Sequence, residues 1–233
     1  MKDLLIQMKW QFIILAKNNL ITISVVVTVL YSLIFFGIKD LGNLEKALTL
    51  LIYNDPAIIG LLFIGLSIIM EKNQRVLSAL FVTPLQHHIY LLSRILTLSF
   101  LGWACAMGMA LAVLGTSFHF IHFSFGVFGT CVMFSLMGIL IVSYTSEFLL
   151  FLLKSIPVLL FFSLPLLNYF ELTNIGIFYL MPIQGCLNLI IHSYNDSPSD
   201  SAIIYGYASL VFWIPLFYYI VYRIFISKIV QAS

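Results

Sequence analysis

The chain has 233 residues, of which 62% are hydrophobic and 9% charged, with a net charge of +2. Soluble domains carry roughly 25% charged residues, so this chain cannot cover a water-facing surface and reads as an integral membrane protein. It has no basic stripe to neutralise phosphates, so no nucleic-acid partner is indicated.

Residues 1–19, "MKDLLIQMKWQFIILAKNN", open the chain. Leu4, Leu5, Met8, Phe12 and Leu15 fall in one arc of a helical projection, with Lys2, Lys9 and Lys17 clustered opposite. That pattern predicts an amphipathic helix lying in the membrane interface. The apolar core lies too far in for a cleavable signal, and no small-residue cleavage site follows. Six apolar segments come next, at about 20–38, 52–70, 93–115, 124–146, 149–168 and 203–226. Each approaches the ~20 residues that a spanning helix needs. The expected fold is therefore all-α, with six transmembrane helices making residues 20–233 one transmembrane domain.

Lys and Arg set the orientation. With the N-terminus inside, the cytoplasmic segments hold nine of the 11: Lys2, Lys9, Lys17, Lys72, Arg75, Arg94, Lys154, Arg223 and Lys228. Only Lys39 and Lys46 fall outside. The positive-inside rule then predicts that both termini are cytoplasmic, and the expected location is a cell inner (plasma) membrane.

The third span carries Gly102, Ala106 and Ala110, and also Ala104, Gly108 and Ala112, at a spacing that permits close helix approach in lipid. Cys105, Cys131 and Cys186 are far apart in apolar surroundings, without CxxC or His/Cys spacing, and read as small buried hydrophobes rather than metal ligands. The outer segment 168–202 is aromatic and apolar at first and is interrupted by Pro182 and Gly185. It should dip into or lie along the outer leaflet. Non-helical backbone at that depth must be covered by protein or face a water-filled cavity, so this segment is expected to cap the outer end of a pathway.

Charge otherwise gathers in one place, "EKNQRVLSALFVTPLQHHIYLLSR", residues 71–94. Leu77, Leu80 and Phe81 share one helical face, with Arg75 turned away, and Thr83-Pro84 then breaks the helix. A short half-apolar helix parallel to the membrane needs lipid or another protein to cover it. This stretch resembles the signature of ABC-2-type transporter permeases, the membrane subunits of a large class of ABC exporters. Their pattern between spans two and three runs Glu-Arg-Glu-x-Gly-Thr-x-Glu-x-Leu-x-Val-(Thr/Ser)-Pro, with a basic residue entering span three. Glu71, Leu80, Val82, Thr83 and Pro84 match without a gap, and Arg94 falls at the basic position. Asn73 and Arg75 depart from it, standing where an acid and a glycine are usual. The layout is also similar, including the proline-containing "YLMPIQGCLNLI" around Pro182.

The resemblance implies an ABC-2, type V exporter-like fold in which residues 71–84 form a cytoplasmic coupling helix. Its ATPase-docking residues would be Glu71, Lys72, Arg75, Leu77, Leu80, Phe81 and Pro84. The chain has no GxxxxGK[ST] loop, so the implied ATPase is a separate polypeptide that holds the ATP and Mg, and this chain binds no cofactor. A second permease copy, identical or closely related, would complete the unit. The implied pathway lies mainly between the first and fifth spans, with Thr28, Tyr31, Ser32, Ser163 and Asn168 as candidate lining. Tyr169, Phe170, Phe178, Tyr179 and Pro182 are candidates for an outer gate. The spans hold almost no buried charge, which suits a hydrophobic or amphipathic cargo such as a drug, a lipid or a peptide. Two other readings compete. One is a membrane anchor or assembly protein without transport. The other is an intramembrane protease, which "MEKNQR" and the Phe118–His122 spacing distantly suggest. Its groups would lie at opposite ends of a ~30 Å span and could not converge.

Overall fold

The computed structural model describes residues 2–38, 44–74, 86–194 and 200–230, and every regular element among them is helical. Helix α1 (Lys2–Lys17) is followed by α2 (Leu20–Ile38), and the two axes bend by 70° across Asn18-Asn19. Asn19 takes φ 58°, a left-handed conformation that asparagine tolerates better than most side chains, so the elbow sits where the sequence allows it. Helix α1 turns Gln11 and Leu15 onto the bundle and leaves Leu5, Ile6 and Trp10 exposed.

Helix α3 (Leu44–Ile58) passes through a π-helical turn (Ile59–Phe63) into α4 (Ile64–Asn73), and together they make one continuous crossing, Lys46–Asn73. Pro56 has no N–H to give the preceding turn, and the wider π turn follows soon after. That turn brings Gly60 against the backbone of the next layer, where a Cβ would sit 2.6 Å from the Cys131 carbonyl oxygen. Helix α5 (His87–Leu114) and α6 (Phe120–Ser143) are long. Helix α7 (Phe148–Ser163) continues past Leu164 as α8 (Pro165–Tyr169). A 3₁₀ turn (Gly176–Leu180), the short α9 (Gln184–His192) and the long α10 (Asp200–Phe225) complete the fold.

Among the described residues five helices are long and apolar enough to cross a membrane, and the bent α1–α2 pair counts as a sixth if it is one span. Two begin six residues earlier than hydropathy predicts. The second crossing starts at Lys46 rather than 52, and the third at His87 rather than 93. Scattered polar residues lower local hydropathy, but they do not interrupt a helix whose backbone bonds are internal.

Helix α6 is the axis of the molecule: 83% of its apolar window is buried, against 28% for Phe148–Tyr169 and 22% for Asp200–Ile229. It packs on α3 to α5, α7, α9 and α10. Glycines set how close two of these neighbours come. A Cβ on Gly126 would lie 2.8 Å from Ile190 Cγ1 and 3.0 Å from the Cys186 carbonyl oxygen, and one on Gly185 would meet Ser209 and the Gly206 carbonyl. Helix α9 is thereby wedged between α6 and α10. Its first turn lies deep, beside Ser209, and its last turn returns to the His119 amide, which donates to the Ser193 carbonyl at 2.8 Å.

The two ends of the bundle differ. One gathers the α1–α2 elbow, the end of α4, the start of α5, the end of α6 and Lys228, whose ammonium lies 5.8 Å from the Tyr144 ring. The other holds the Lys46–Glu171 ion pair at 2.9 Å, the Thr49–Tyr169 hydrogen bond at 3.2 Å and the His122–Tyr207 hydrogen bond at 2.8 Å. Lys46 holds the Glu171 carboxyl below the ordinary glutamate range, by hydrogen bonding first and charge second.

Candidate functional site

The charged end contains a connected set of polar contacts at the two ends of the 71–94 segment. Arg94, 2% exposed, forms an ion pair with Glu71 and donates to Ser67 Oγ at 2.6 Å. Tyr90 donates its hydroxyl to the other Glu71 oxygen at 2.8 Å, and its ring lies 4.7 Å from the Arg94 guanidinium. A charge removed from water needs such partners, since an ion pair at membrane depth repays desolvation only with additional hydrogen bonds, and Arg94 Nε is left buried without one. Lys72 points the other way and donates to the Val142 and Thr145 carbonyls at 3.0 and 3.1 Å. Val142 is in the last turn of α6 and Thr145 lies just beyond it, and carbonyls at a helix C-terminus attract a cation.

The far side of the segment is fastened as well. His88 shares a 2.9 Å hydrogen bond with the Tyr218 hydroxyl and stacks on Tyr222 at 3.9 Å, which joins the start of α5 to α10. Residues 75–85, with Arg75, Leu77, Leu80, Phe81 and Pro84, lie outside the described residues. Their two roots, at Glu71–Lys72 and at His88–Arg94, are cross-linked to each other and to α6 and α10. Glu71 and Lys72, read from the sequence as docking charges, thus spend their contacts inside the chain. Beside them a cavity of about 250 Å³ is lined by Ile14, Lys17, Asn18, Ser67, Glu71 and Gln74.

A second concavity lies between α2 and α5. It has a volume of about 620 Å³ and is lined almost wholly by apolar atoms, with Thr28 and Ser32 on one wall and Cys105 and Gly108 on the other. The small residues of α5 therefore divide: Gly102, Ala106 and Ala110 are buried in the bundle, while Ala104, Gly108 and Ala112 line this groove. Tyr31 packs against the core rather than on the groove wall. Ser163 is half-buried at the end of α7, away from α2, so one chain does not bring the first and fifth spans together. Asn168 uses its side chain to close the 168–175 turn, accepting from Thr173 and from the Ile175 amide and donating to the Ile175 carbonyl.

Of the outer aromatics, Phe178 is buried and Tyr179 is 55% exposed. Tyr169 and Phe170 meet edge to face at 5.5 Å, Pro182 is half-buried, and the Tyr205 hydroxyl donates to the Tyr179 carbonyl. All three cysteines are buried and free. The structure also corrects the reading that the spans are nearly free of buried charge. Arg94 and Asp55 are buried, and Glu71 and Lys72 are mostly so. Asp55 was missed entirely. Its only sequence signal is a lone acid inside an otherwise apolar window, which averaging over the window hides.

Comparison with known proteins agrees with the membrane-transport reading of this geometry. The model of the fluoroquinolones export permease protein family matches residues 2–233. Fluoroquinolones export permease proteins from two strains of Mycobacterium tuberculosis are each 29% identical over 143 residues. The match spans 58% of this chain and 58% of the length of those relatives. No solved structure matches. An all-helical bundle with five to six candidate crossings, matched along nearly its whole length by one family model, makes this chain a member of the fluoroquinolones export permease protein family.

Proposed function

We propose that this chain is the membrane subunit of an ATP-driven exporter of ABC-2 type, and that residues 71–84 dock a separate ATPase subunit that holds the ATP and Mg. The observation that carries the reading is the fastening of both roots of that segment. A loop tied through Glu71, Tyr90 and Arg94 cannot move without moving the ends of α4 and α5. Through Lys72 and His88 it also pulls on α6 and α10. A docking surface needs an apolar strip for contact, which Leu77, Leu80 and Phe81 supply, and rigid support, which the polar clamp supplies. Since α5 is one wall of the α2–α5 groove, displacement at the clamp is transmitted to that groove.

In this reading the charged end faces the cytoplasm of a cell whose inner membrane holds the protein, as the lysine and arginine bias favours. Helix α1 lies in the interface, and 168–202 re-enters from the outside. Two permease copies enclose the pathway, with Thr28, Tyr31, Ser32, Ser163 and Asn168 as lining. Tyr169, Phe170, Phe178, Tyr179 and Pro182 close its outer end. The name of the mycobacterial relatives supports an organic, drug-like cargo, and the apolar groove supports a hydrophobic or amphipathic one. Export itself is not catalysed bond chemistry by this chain; the ATPase supplies the free energy.

The test is affinity purification of the tagged chain from native membranes in mild detergent. A protein with a phosphate-binding loop should accompany the wild type in stoichiometric amount, and Leu80→Asp with Phe81→Asp should lose it while membrane insertion is unchanged. A double variant that retains its ATPase at normal yield overturns the docking assignment. A wild-type chain that purifies alone after cross-linking favours an anchor or assembly protein.

A further inference from the structure

We infer that the cavity between the α1–α2 elbow and the end of α4 holds the headgroup of a phosphatidylethanolamine lipid. The inference goes beyond the exporter reading and does not depend on it. The cavity has a volume of about 250 Å³, and its polar walls are Lys17 and Asn18 from the elbow and Ser67, Glu71 and Gln74 from the end of α4. Two opposite charges therefore line one cavity, yet Lys17 and Glu71 form no ion pair with each other. Glu71 gives one oxygen to Arg94 and the other to Tyr90. A carboxylate accepts about four hydrogen bonds, so each oxygen keeps a lone pair. The Glu71 side chain is also still 12% exposed. Ser67 Oγ accepts from Arg94, which leaves its own hydrogen to donate. Lys17 is exposed and takes part in no ion pair among the described residues.

The set has two poles. Lys17, with the amides of Asn18 and Gln74 and the Ser67 hydroxyl, offers donors to an anion with several oxygens. Glu71 offers lone pairs to an N–H. Arg94 already balances the charge of Glu71, so this pole selects a hydrogen-bond donor rather than a bare positive charge. A phosphate joined to a primary ammonium meets both poles. Phosphatidylcholine keeps the phosphate but has no N–H, and phosphatidylglycerol keeps it without a cation. The surroundings point to a lipid as the source. The cavity lies at the end of a crossing, and both helices of the elbow are apolar outside: α1 exposes Leu5, Ile6 and Trp10, and α2 exposes Ile23 and Val26. Such faces pack on acyl chains, and tryptophan favours the headgroup level.

The experiment is native mass spectrometry of the purified chain in detergent micelles, with no ATPase present. Single-lipid adducts are counted for phosphatidylethanolamine, its N-methyl and N,N-dimethyl forms, phosphatidylcholine and phosphatidylglycerol, all with the same acyl chains. Phosphatidylethanolamine should bind about tenfold more tightly than phosphatidylcholine, as one charge-assisted hydrogen bond provides, with the methylated forms between them. Lys17→Glu should weaken phosphatidylethanolamine about tenfold, while Lys9→Glu, exposed on the same helix but not on the cavity wall, should leave it unchanged. Equal binding of phosphatidylethanolamine and phosphatidylcholine to the wild type, which needs no variant, overturns the inference. Equal losses in the two lysine variants overturn the cavity and leave a general attraction to the interface. Displacement of the lipid by soluble phosphoethanolamine at equal concentration overturns the lipid as the source. Because the readout needs no partner, absence of the lipid preference beside normal ATPase capture defeats only this inference. Lipid selection by a chain that captures no ATPase defeats only the exporter reading.

Discussion

Arg94 holds a positive charge where almost no water reaches it, so its stability rests on Glu71, Ser67 and the Tyr90 ring. Removing one member of a buried pair strands the other. Glu71→Leu should therefore cost about 3–5 kcal/mol in detergent unfolding, and Glu71→Leu with Arg94→Met should cost clearly less than that. Equal losses in the single and double variants would show that the two charges are not coupled. The Lys46–Glu171 pair is the opposite case, with Glu171 fully exposed, and its contribution to stability is small. Its sign is still defined. The folded carboxyl titrates below its unfolded value, so the contribution is present above the unfolded pKa and is lost as pH falls through the folded one. Lys46→Met should return the Glu171 titration to the ordinary range, read by carbon-detected NMR. At this scale the sequence pattern located Glu71 and Arg94 but not what they do, because pairing and burial are tertiary facts. Asp55 was legible only as a letter in an apolar run.

Helix α9 shows what an element can hide from a hydropathy scan. Its nine residues are too short to cross, yet Cys186, Leu187, Leu189 and Ile190 are as buried as any core residue. What holds it there is the closeness that Gly126, Gly129, Gly185 and Gly206 allow, and van der Waals contact of this kind drives helix association in lipid. A side chain at Gly126 should push α9 away from α6. Gly126→Val is expected to lose about 1–3 kcal/mol by overpacking. In a background where Cys105 and Cys131 are alanine, it should also make Cys186 reactive to maleimide within minutes, while the parent stays unlabelled. Slow labelling in both would mean that the bundle absorbs the extra methyls without moving α9. The sequence displayed small residues on the third span more conspicuously than these glycines. Regular spacing along one helix is easy to see, whereas complementary glycines on three helices become a set only once the chain is folded.

At the scale of the whole molecule the decisive question is whether the chain crosses five times or six. The six apolar segments were readable because a spanning helix must bury about 20 residues' worth of backbone in hydrocarbon, whatever its neighbours. The bent α1–α2 pair is the one ambiguous case. Helix α2 has 19 residues, and at 1.5 Å per residue it extends ~28 Å, close to the ~30 Å hydrocarbon core. Lys17 and Asn18, at its start, line the same cavity as Glu71 and Gln74, at the end of α4. A helix that starts beside the end of the next crossing and leads into that crossing's start must traverse the bundle. Six crossings are the expectation, and they would leave Asp3, Gln74 and Ser146 on one side, with Thr116 and Asp200 on the other. Single cysteines at these positions, in a chain otherwise free of cysteine, should separate into those two groups. A membrane-impermeant maleimide added to intact cells should label positions 116 and 200 and spare 3, 74 and 146 until the cells are opened. If position 3 alone changes group, α2 does not cross and the count is five. If both groups exchange, the crossings stand but the segment 71–94 faces outward, where no ATP-hydrolysing partner could reach it.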